Sequence, residues 1–334
     1  MPLHDSGYQH WDGAHIGLWH RRWVIACTGV RACLQNKWLR YLVMLSWTAG
    51  LVMAALLFLI GQLLVTDSIV ADWISSFNAH SNSNYDVFAK SFTAWLEQHP
   101  EVSVRTSQDI LFYYYGMCLL PLSVFALGMA IPLFITRDLA SNAITVYASK
   151  AVSRGDYLLG KFATAIGVLA LTWLGPLCAS WLVGNLLAPN WGFFWHSRIA
   201  LGHALAFALP SIVVLSVLAL GISATSFNEK STIAFWFLWW IVGGVITPIA
   251  SFTQPWLRHL NFSFDLRQLA LAIFRLGDDI KLAQDKVPIL GAMIRVRPET
   301  LAAISSPAVW GSILALGLMA GLAMFVIYRR VRPE

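Results

Sequence analysis

The sequence predicts an all-α integral membrane protein with six transmembrane helices, an N-terminal amphipathic interfacial helix and a large extracytoplasmic loop between helices 1 and 2. Composition, block length and charge placement all point this way. Apolar residues make up 57% of the 334 residues and charged residues only 12%, about half the charged share of a soluble domain. The apolar residues gather into blocks of the roughly 20 residues that a helix needs to cross a 30 Å hydrocarbon core. Blocks of that length are helices, because barrel strands are shorter and no other backbone satisfies itself in lipid. The net charge is +6. It lies beside the apolar blocks, where basic residues orient spans, a placement that argues against nucleic-acid binding.

Along the chain, residues 1–40 form a cytoplasmic N-terminal segment and 41–334 a six-span domain. His15–Trp38 mixes Ile16, Trp19, Trp23, Ile25 and Leu34 with basic residues, as an interfacial helix on the inner leaflet does. The apolar blocks are Tyr41–Val65, Leu111–Ile135, Phe162–Leu187, Ile199–Ser223, Thr232–Phe252 and Pro307–Tyr328, and none contains Asp, Glu, Lys or Arg. Acids at membrane depth mark ion and proton pathways, so these blocks argue against a proton-coupled carrier or an ion channel. They also lack the paired acids or Ser/His pair of an intramembrane enzyme. The first block is too long and starts too late for a secretory signal.

Arg21, Arg22, Arg31, Lys37 and Arg40 before the first span, and Arg329, Arg330 and Arg332 after the last, place both termini in the cytoplasm. The loop 136–161 then falls inside and 66–110 outside. The segment 253–306 also falls outside although it holds seven basic residues, Arg258, Arg267, Arg275, Lys281, Lys286, Arg295 and Arg297. Helical spacing recurs in both outer segments, over Ile69–Phe77 and over Leu266–Phe274.

Other residues have modest readings. Cys27, Cys33, Cys118 and Cys178 make no metal pair or disulfide framework, and His203 reads as a hydrogen-bonded packing histidine. The five-residue spacing of His10, His15 and His20 does not stack them on one helical face, so no metal site is expected. Pro121, Pro132, Pro176, Pro210 and Pro248 are candidate kinks, and Gly317 and Gly321 have the spacing of a close helix contact. Gly155–Phe162 fits a P-loop except at its last position, where Phe162 replaces the Mg²⁺-holding hydroxyl. No cofactor is expected in this chain, and ATP and Mg²⁺ chemistry would belong to a partner.

The same stretch resembles the first cytoplasmic loop of ABC-2-type ABC transporter permeases. Ser149, Val152, Ser153, Arg154, Asp156, Tyr157, Gly160 and Lys161 match the pattern of that loop. Asn142 stands where Gly is usual and Ala151 where Pro is usual, and Asn is the side chain that best tolerates the left-handed backbone.

The resemblance implies a non-catalytic permease subunit in a bacterial cytoplasmic (inner) membrane. It would export or extract a lipid-like or amphipathic substrate beside a second permease copy and two ABC ATPase subunits. It further implies that 136–161 is a coupling loop. Its contact residues would be Arg137, Asp138, Asn142, Tyr147, Ser149, Lys150, Ser153, Arg154, Asp156, Tyr157 and Lys161, with Glu229 and Lys230 from the second inner loop. Membrane lipid and an extracytoplasmic accessory protein are the other expected partners. The alternative is a mechanotransmission subunit that passes ATPase motion to an extracytoplasmic protein and transports nothing.

The charge pattern generates a topology prediction. In a background without the four native cysteines, Ser83→Cys should react with an impermeant maleimide in intact cells and Ser141→Cys should not. The reverse pattern would overturn the orientation.

Overall fold

The computed structural model describes residues 17–62, 91, 94–95, 97–143, 153–188, 191–226, 228–250, 254–286 and 298–331. Helix α1 covers Leu18–Leu34 and α2 Lys37–Gln62. Helix α3, Pro100–Ala130, runs through a 3₁₀ turn at Ile131–Leu133 into the short α4, Thr136–Ala140. Helix α5, Arg154–Leu169, passes through a π turn at Ala170–Leu174 into α6, Gly175–Leu186. Then come α7, Trp191–Ser223, and α8, Glu229–Ala250. A 3₁₀ turn at Pro255–Leu260 leads to α9, Phe262–Ile273, α10, Leu276–Lys286, α11, Pro298–Ser305, and α12, Val309–Arg330.

Six helical stretches are long and apolar enough to cross a membrane: Lys37–Gln62, Pro100–Ala140, Arg154–Leu186, Trp191–Ser223, Glu229–Ile249 and Val309–Arg330. Each contains most or all of one predicted block, so the described residues are all-helical and carry the six candidate spans of a multi-pass membrane protein. Two helices start well before their apolar blocks. Helix α3 begins at Pro100, a residue suited to a first turn, so the end of the predicted outer loop is helix. Helix α5 begins at Arg154 because Ser153 caps it, its hydroxyl accepting from the Asp156 amide at 3.2 Å. The P-loop-like stretch Gly155–Phe162 therefore lies within a helix.

Helices α3 and α7 form the centre. In their most apolar stretches 67% and 61% of residues are buried, against 17% in both α8 and α12, whose outer faces carry Leu238, Ile241, Val245, Leu314 and Leu318 exposed. Trp173, Phe112 and Phe134 are fully buried in this core, and Trp173 meets Phe207 edge-on at 5.6 Å.

Two predicted prolines mark breaks in the helical ladder. Pro132 lies in the 3₁₀ turn between α3 and α4. Pro176 follows the π turn, beside which the Leu171 carbonyl accepts from the Trp47 indole at 3.0 Å. Pro121, Pro210 and Pro248 lie inside helices.

Helix α9 turns back among the spans. Phe262 stacks on Trp236 at 5.7 Å, and the indoles of Trp239 and Trp240 donate to Leu260 O and Ser263 Oγ, each at 3.0 Å. These tryptophans lie 10 to 14 residues before the end of α8, so the chain has returned about 15–20 Å along that helix. The apolar face predicted over Leu266–Phe274 is what it buries, with Leu266 and Phe274 almost fully covered.

Helix α1 packs along α5 at very short range. A Cβ on Gly160 would lie 2.6 Å from Ile25 Cγ2, one on Gly29 2.4 Å from Thr164 Oγ1, and one on Gly167 2.7 Å from Val30 Cγ2. Trp19 and Trp23 are left exposed. Gly317 and Gly321 meet nothing within 4 Å; the close approach of α12 to α7 is made instead by Ala323 against Gly221, at 2.5 Å from a Cβ there. The predicted amphipathic stretch Ile69–Phe77 and the residues His10 and His15 lie outside the described residues.

Gly160→Leu should therefore push α1 off α5. Overpacking costs about 1–3 kcal/mol, so the variant should melt lower and be cut faster by trypsin within α1. Gly155→Leu, whose nearest neighbour is 3.8 Å away, is the control. Equal proteolysis of the two variants would show that the glycine contact does not hold α1 in place.

Candidate coupling surface and a buried ionic cluster

The predicted loop residues divide into two groups. Most of the ionic ones face inward. Asp138 on α4 accepts from Tyr157 Oη at 2.7 Å and pairs with Lys161 Nζ at 2.7 Å. Lys161 also donates to Leu133 O at 3.1 Å and lies over the Tyr157 ring. The carbonyl at Leu133 belongs to the 3₁₀ turn, where the helical ladder leaves acceptors over. Asp156 is 6% exposed; it pairs with Arg22 of α1 at 2.6 Å and accepts from Ser153 Oγ at 2.5 Å. Arg154 reaches the far end of the chain. It donates to Tyr328 O, and to Ile327 O at 3.4 Å, and its guanidinium sits 4.6 Å over the Tyr328 ring. A cation at the last carbonyls of α12 satisfies its exposed acceptors and opposes its dipole.

The second group faces outward. Arg137 and Glu229 pair at 3.0 Å, their side chains 57% and 46% exposed. Lys230, Asn142 and Ser153 are exposed as well. Asn142 has φ 53°, in the left-handed region that Asn tolerates. Tyr147, Ser149 and Lys150 lie outside the described residues.

Beneath the Arg137–Glu229 pair is a buried knot of hydroxyls. Ser223 Oγ, at the end of α7, accepts from Ile135 N at 2.8 Å and Thr136 N at 3.1 Å and donates to Ile131 O at 2.8 Å. Thr136 Oγ1 donates to Ser223 O at 2.7 Å and lies 3.3 Å from Thr232 Oγ1 of α8. The ends of α3, α7 and α8 are thus joined at one point. This knot is absent from the sequence reading. Its signal is a Ser or Thr at the end of three separate apolar blocks, which carries no pairing information until the helices are assembled.

A second cluster lies toward the other ends of the helices. His203 Nδ1 on α7 is 3.0 and 3.1 Å from the two oxygens of Asp109 on α3, with Asp109 1% exposed. His203 is indeed a hydrogen-bonded packing residue. Asp109 itself was hidden because its block starts at Leu111, and the argument from acid-free spans does not reach this part of the helix. Ser103, Thr106 and Asp109 recur at helical spacing and are all buried, which is the pattern that would have exposed it. Asp279 of α10 accepts from Thr106 Oγ1 at 3.2 Å, while its other oxygen has no partner. Burial, and then the charge of Asp109, push the Asp279 carboxyl up to about 6, with Arg105, Thr106 and His203 pulling the other way. Chemically this is a buried, titratable carboxyl beside a carboxyl–imidazole pair.

A carboxyl with a raised pKa holds its proton more tightly in the folded chain than in the unfolded one. Its contribution is most favourable below the ordinary value, falls as pH rises through the window up to about 6, and is flat above. Asp279→Asn should remove that component. The variant should gain roughly 1–3 kcal/mol over wild type at pH 7, and the gap should close as pH falls toward 4. Parallel melting curves from pH 4 to 7 would show that Asp279 does not titrate in this range.

No protein-family model matches the chain, and no curated protein matches it.

Proposed function

We propose that the chain is the membrane subunit of an ATP-driven ABC transporter, joined to a separate ATPase at the cytoplasmic ends of α3, α5 and α8. The observation that carries this reading is the placement of the exposed Arg137–Glu229 pair directly over the hydroxyl knot of Thr136, Ser223 and Thr232. A push on that surface is delivered to three spans at once. The inward ion pairs extend the linkage: Arg22–Asp156 ties in α1, Asp138–Lys161 joins α4 to α5, and Arg154 holds the end of α12. In this reading Arg137, Asn142, Glu229 and Lys230 touch the ATPase. Asp138, Arg154, Asp156, Tyr157 and Lys161 position the loop.

The resemblance of the loop to ABC-2-type permeases supports the same assignment. It supplies the direction, export or extraction of a lipid-like or amphipathic substrate, and the pairing with a second permease copy. The lipid-facing residues of α8 and α12 are consistent with an apolar route. Both termini and this surface would lie in the cytoplasm.

Affinity purification of the tagged chain from its native membrane should bring down a P-loop ATPase. Arg137→Glu should weaken that association about tenfold or more, the effect of losing a hydrogen bond to a charged group. It should leave the melting temperature nearly unchanged, because exposed ion pairs contribute about 1 kcal/mol or less. The double swap Arg137→Glu with Glu229→Arg restores the internal pair but inverts the charges shown to a partner, so it should remain impaired. Recovery of full association by the double swap, or no ATPase in the purified complex, would sink the proposal. A complex that hydrolyses ATP but moves no substrate in sealed vesicles would point to mechanotransmission instead.

A further inference from the structure

The basic residues between α8 and α12 exceed what the charge rule places outside, and two of them converge. Arg258, from the 3₁₀ turn, and Arg267, on α9, line one pocket of about 440 Å³ with Gly244, Thr247, Asn261 and Phe264. That volume is in the range of small-molecule sites. No acidic side chain lines it, and neither guanidinium has an ion-pair partner among the described residues. Arg258 spends only Nε, on Pro255 O at 3.0 Å, and sits 5.5 Å over the Phe264 ring. Arg267 is exposed.

The neutral polar groups of the wall are already engaged. Asn261 Nδ2 donates to Thr247 Oγ1 at 3.1 Å, Thr247 Oγ1 donates to Gly243 O at 2.8 Å, and Ser263 Oγ accepts from Trp240. The wall is held in place, and the charged donors left over are guanidinium N–H groups, beside the Ser263 hydroxyl hydrogen. Two unpaired guanidinia in one pocket repel each other and match the oxygens of a phosphate, which accepts from both forks.

The position of the pocket narrows the ligand. Gly244, Thr247 and Pro248 lie two to six residues before the end of α8, about 3–9 Å along the helix, where a spanning helix meets the headgroup layer. The exposed residues Ile241, Val245 and Ile249 run down α8 beside it at four-residue spacing, a continuous apolar stripe for acyl chains. Trp256, which stands exposed in the same 3₁₀ turn, is a residue type that anchors at the membrane–water boundary.

We propose that the Arg258–Arg267 pocket binds the phosphate of an anionic membrane lipid, with its acyl chains lying along Ile241, Val245 and Ile249. The absence of a carboxylate in the pocket leaves nothing to hold a choline or ethanolamine group, which favours a headgroup with net negative charge. The proposal depends on α8 spanning a membrane and not on the transporter reading.

Native mass spectrometry of the detergent-solubilised full-length chain tests it, with dioleoyl phosphatidylglycerol, dioleoyl phosphatidylcholine and inorganic phosphate as probes. Wild type should retain phosphatidylglycerol in preference to phosphatidylcholine. Arg258→Gln with Arg267→Gln should weaken that retention about tenfold or more. Lys281→Gln with Lys286→Gln removes the same charge from α10 and should leave retention at the wild-type level. Arg267→Gln alone, at an exposed residue, should weaken retention severalfold even if the double variant folds poorly. Undiminished retention by Arg267→Gln, or an equal loss in the Lys281/Lys286 variant, would overturn the site. Displacement of the lipid by millimolar inorganic phosphate would show a soluble anion to be the ligand and overturn the lipid assignment. Equal retention of phosphatidylcholine would overturn the anionic preference.

Discussion

A chain inside hydrocarbon must satisfy its own backbone, since no water is there to do it. Regular helices meet that requirement locally. The architecture of this protein turns on the places where the helical ladder is broken and another element supplies the missing partner. At the π turn, Trp47 of α2 donates to Leu171 O. At the 3₁₀ turn after α3, Ser223 of α7 takes the amides of Ile135 and Thr136 and gives its proton to Ile131 O. Where α9 turns back among the spans, Trp239 of α8 donates to Leu260 O. Each break is therefore also a joint between helices, fixed in register by a hydrogen bond from another element; at Ser223 these bonds are buried, so their loss would strand polar groups.

Around these joints the segment 136–161 is, in its described residues, polar and yet tied to the bundle. Its acids and bases are largely consumed within the chain, by α1, the 3₁₀ turn and the end of α12. What remains outward is the small patch around Arg137, Glu229 and Lys230. The opposite ends of the helices carry a different chemistry: the Asp109–His203 pair and Asp279 bind α3 to α7 and to α10 through buried carboxyls and an imidazole group. The two ends of the bundle are thus held by hydroxyls and inward-facing ion pairs in one case, and by buried titratable groups in the other.

Much of the fold was legible because the membrane imposes a length and a polarity on each span. Each of the six long apolar helices contains most or all of one predicted block, and the amphipathic spacing over Leu266–Phe274 falls on helix α9. The boundaries were less legible. Pro100 and Arg154 start their helices in polar sequence, so hydropathy stops short of them, and Asp109 was lost with the first of these. The role of the loop residues was least legible. Arg137, Arg154, Asp156 and Lys161 look alike as charged loop residues, and only their partners separate those tied into the bundle from those that stay exposed.

By itself, then, the sequence determined the six long apolar helices and the helical spacing of α9, because each follows from local apolar length or local periodicity. Tertiary structure alone decided that α3 and α7 are central and that α1 lies against α5 through Gly29, Gly160 and Gly167. It also decided that Arg258 and Arg267 share a pocket and that Asp109 meets His203. The physical reason is that these are pairings between residues far apart in the chain. Composition and periodicity say which face of a helix is apolar, small or charged, but not which other face it meets.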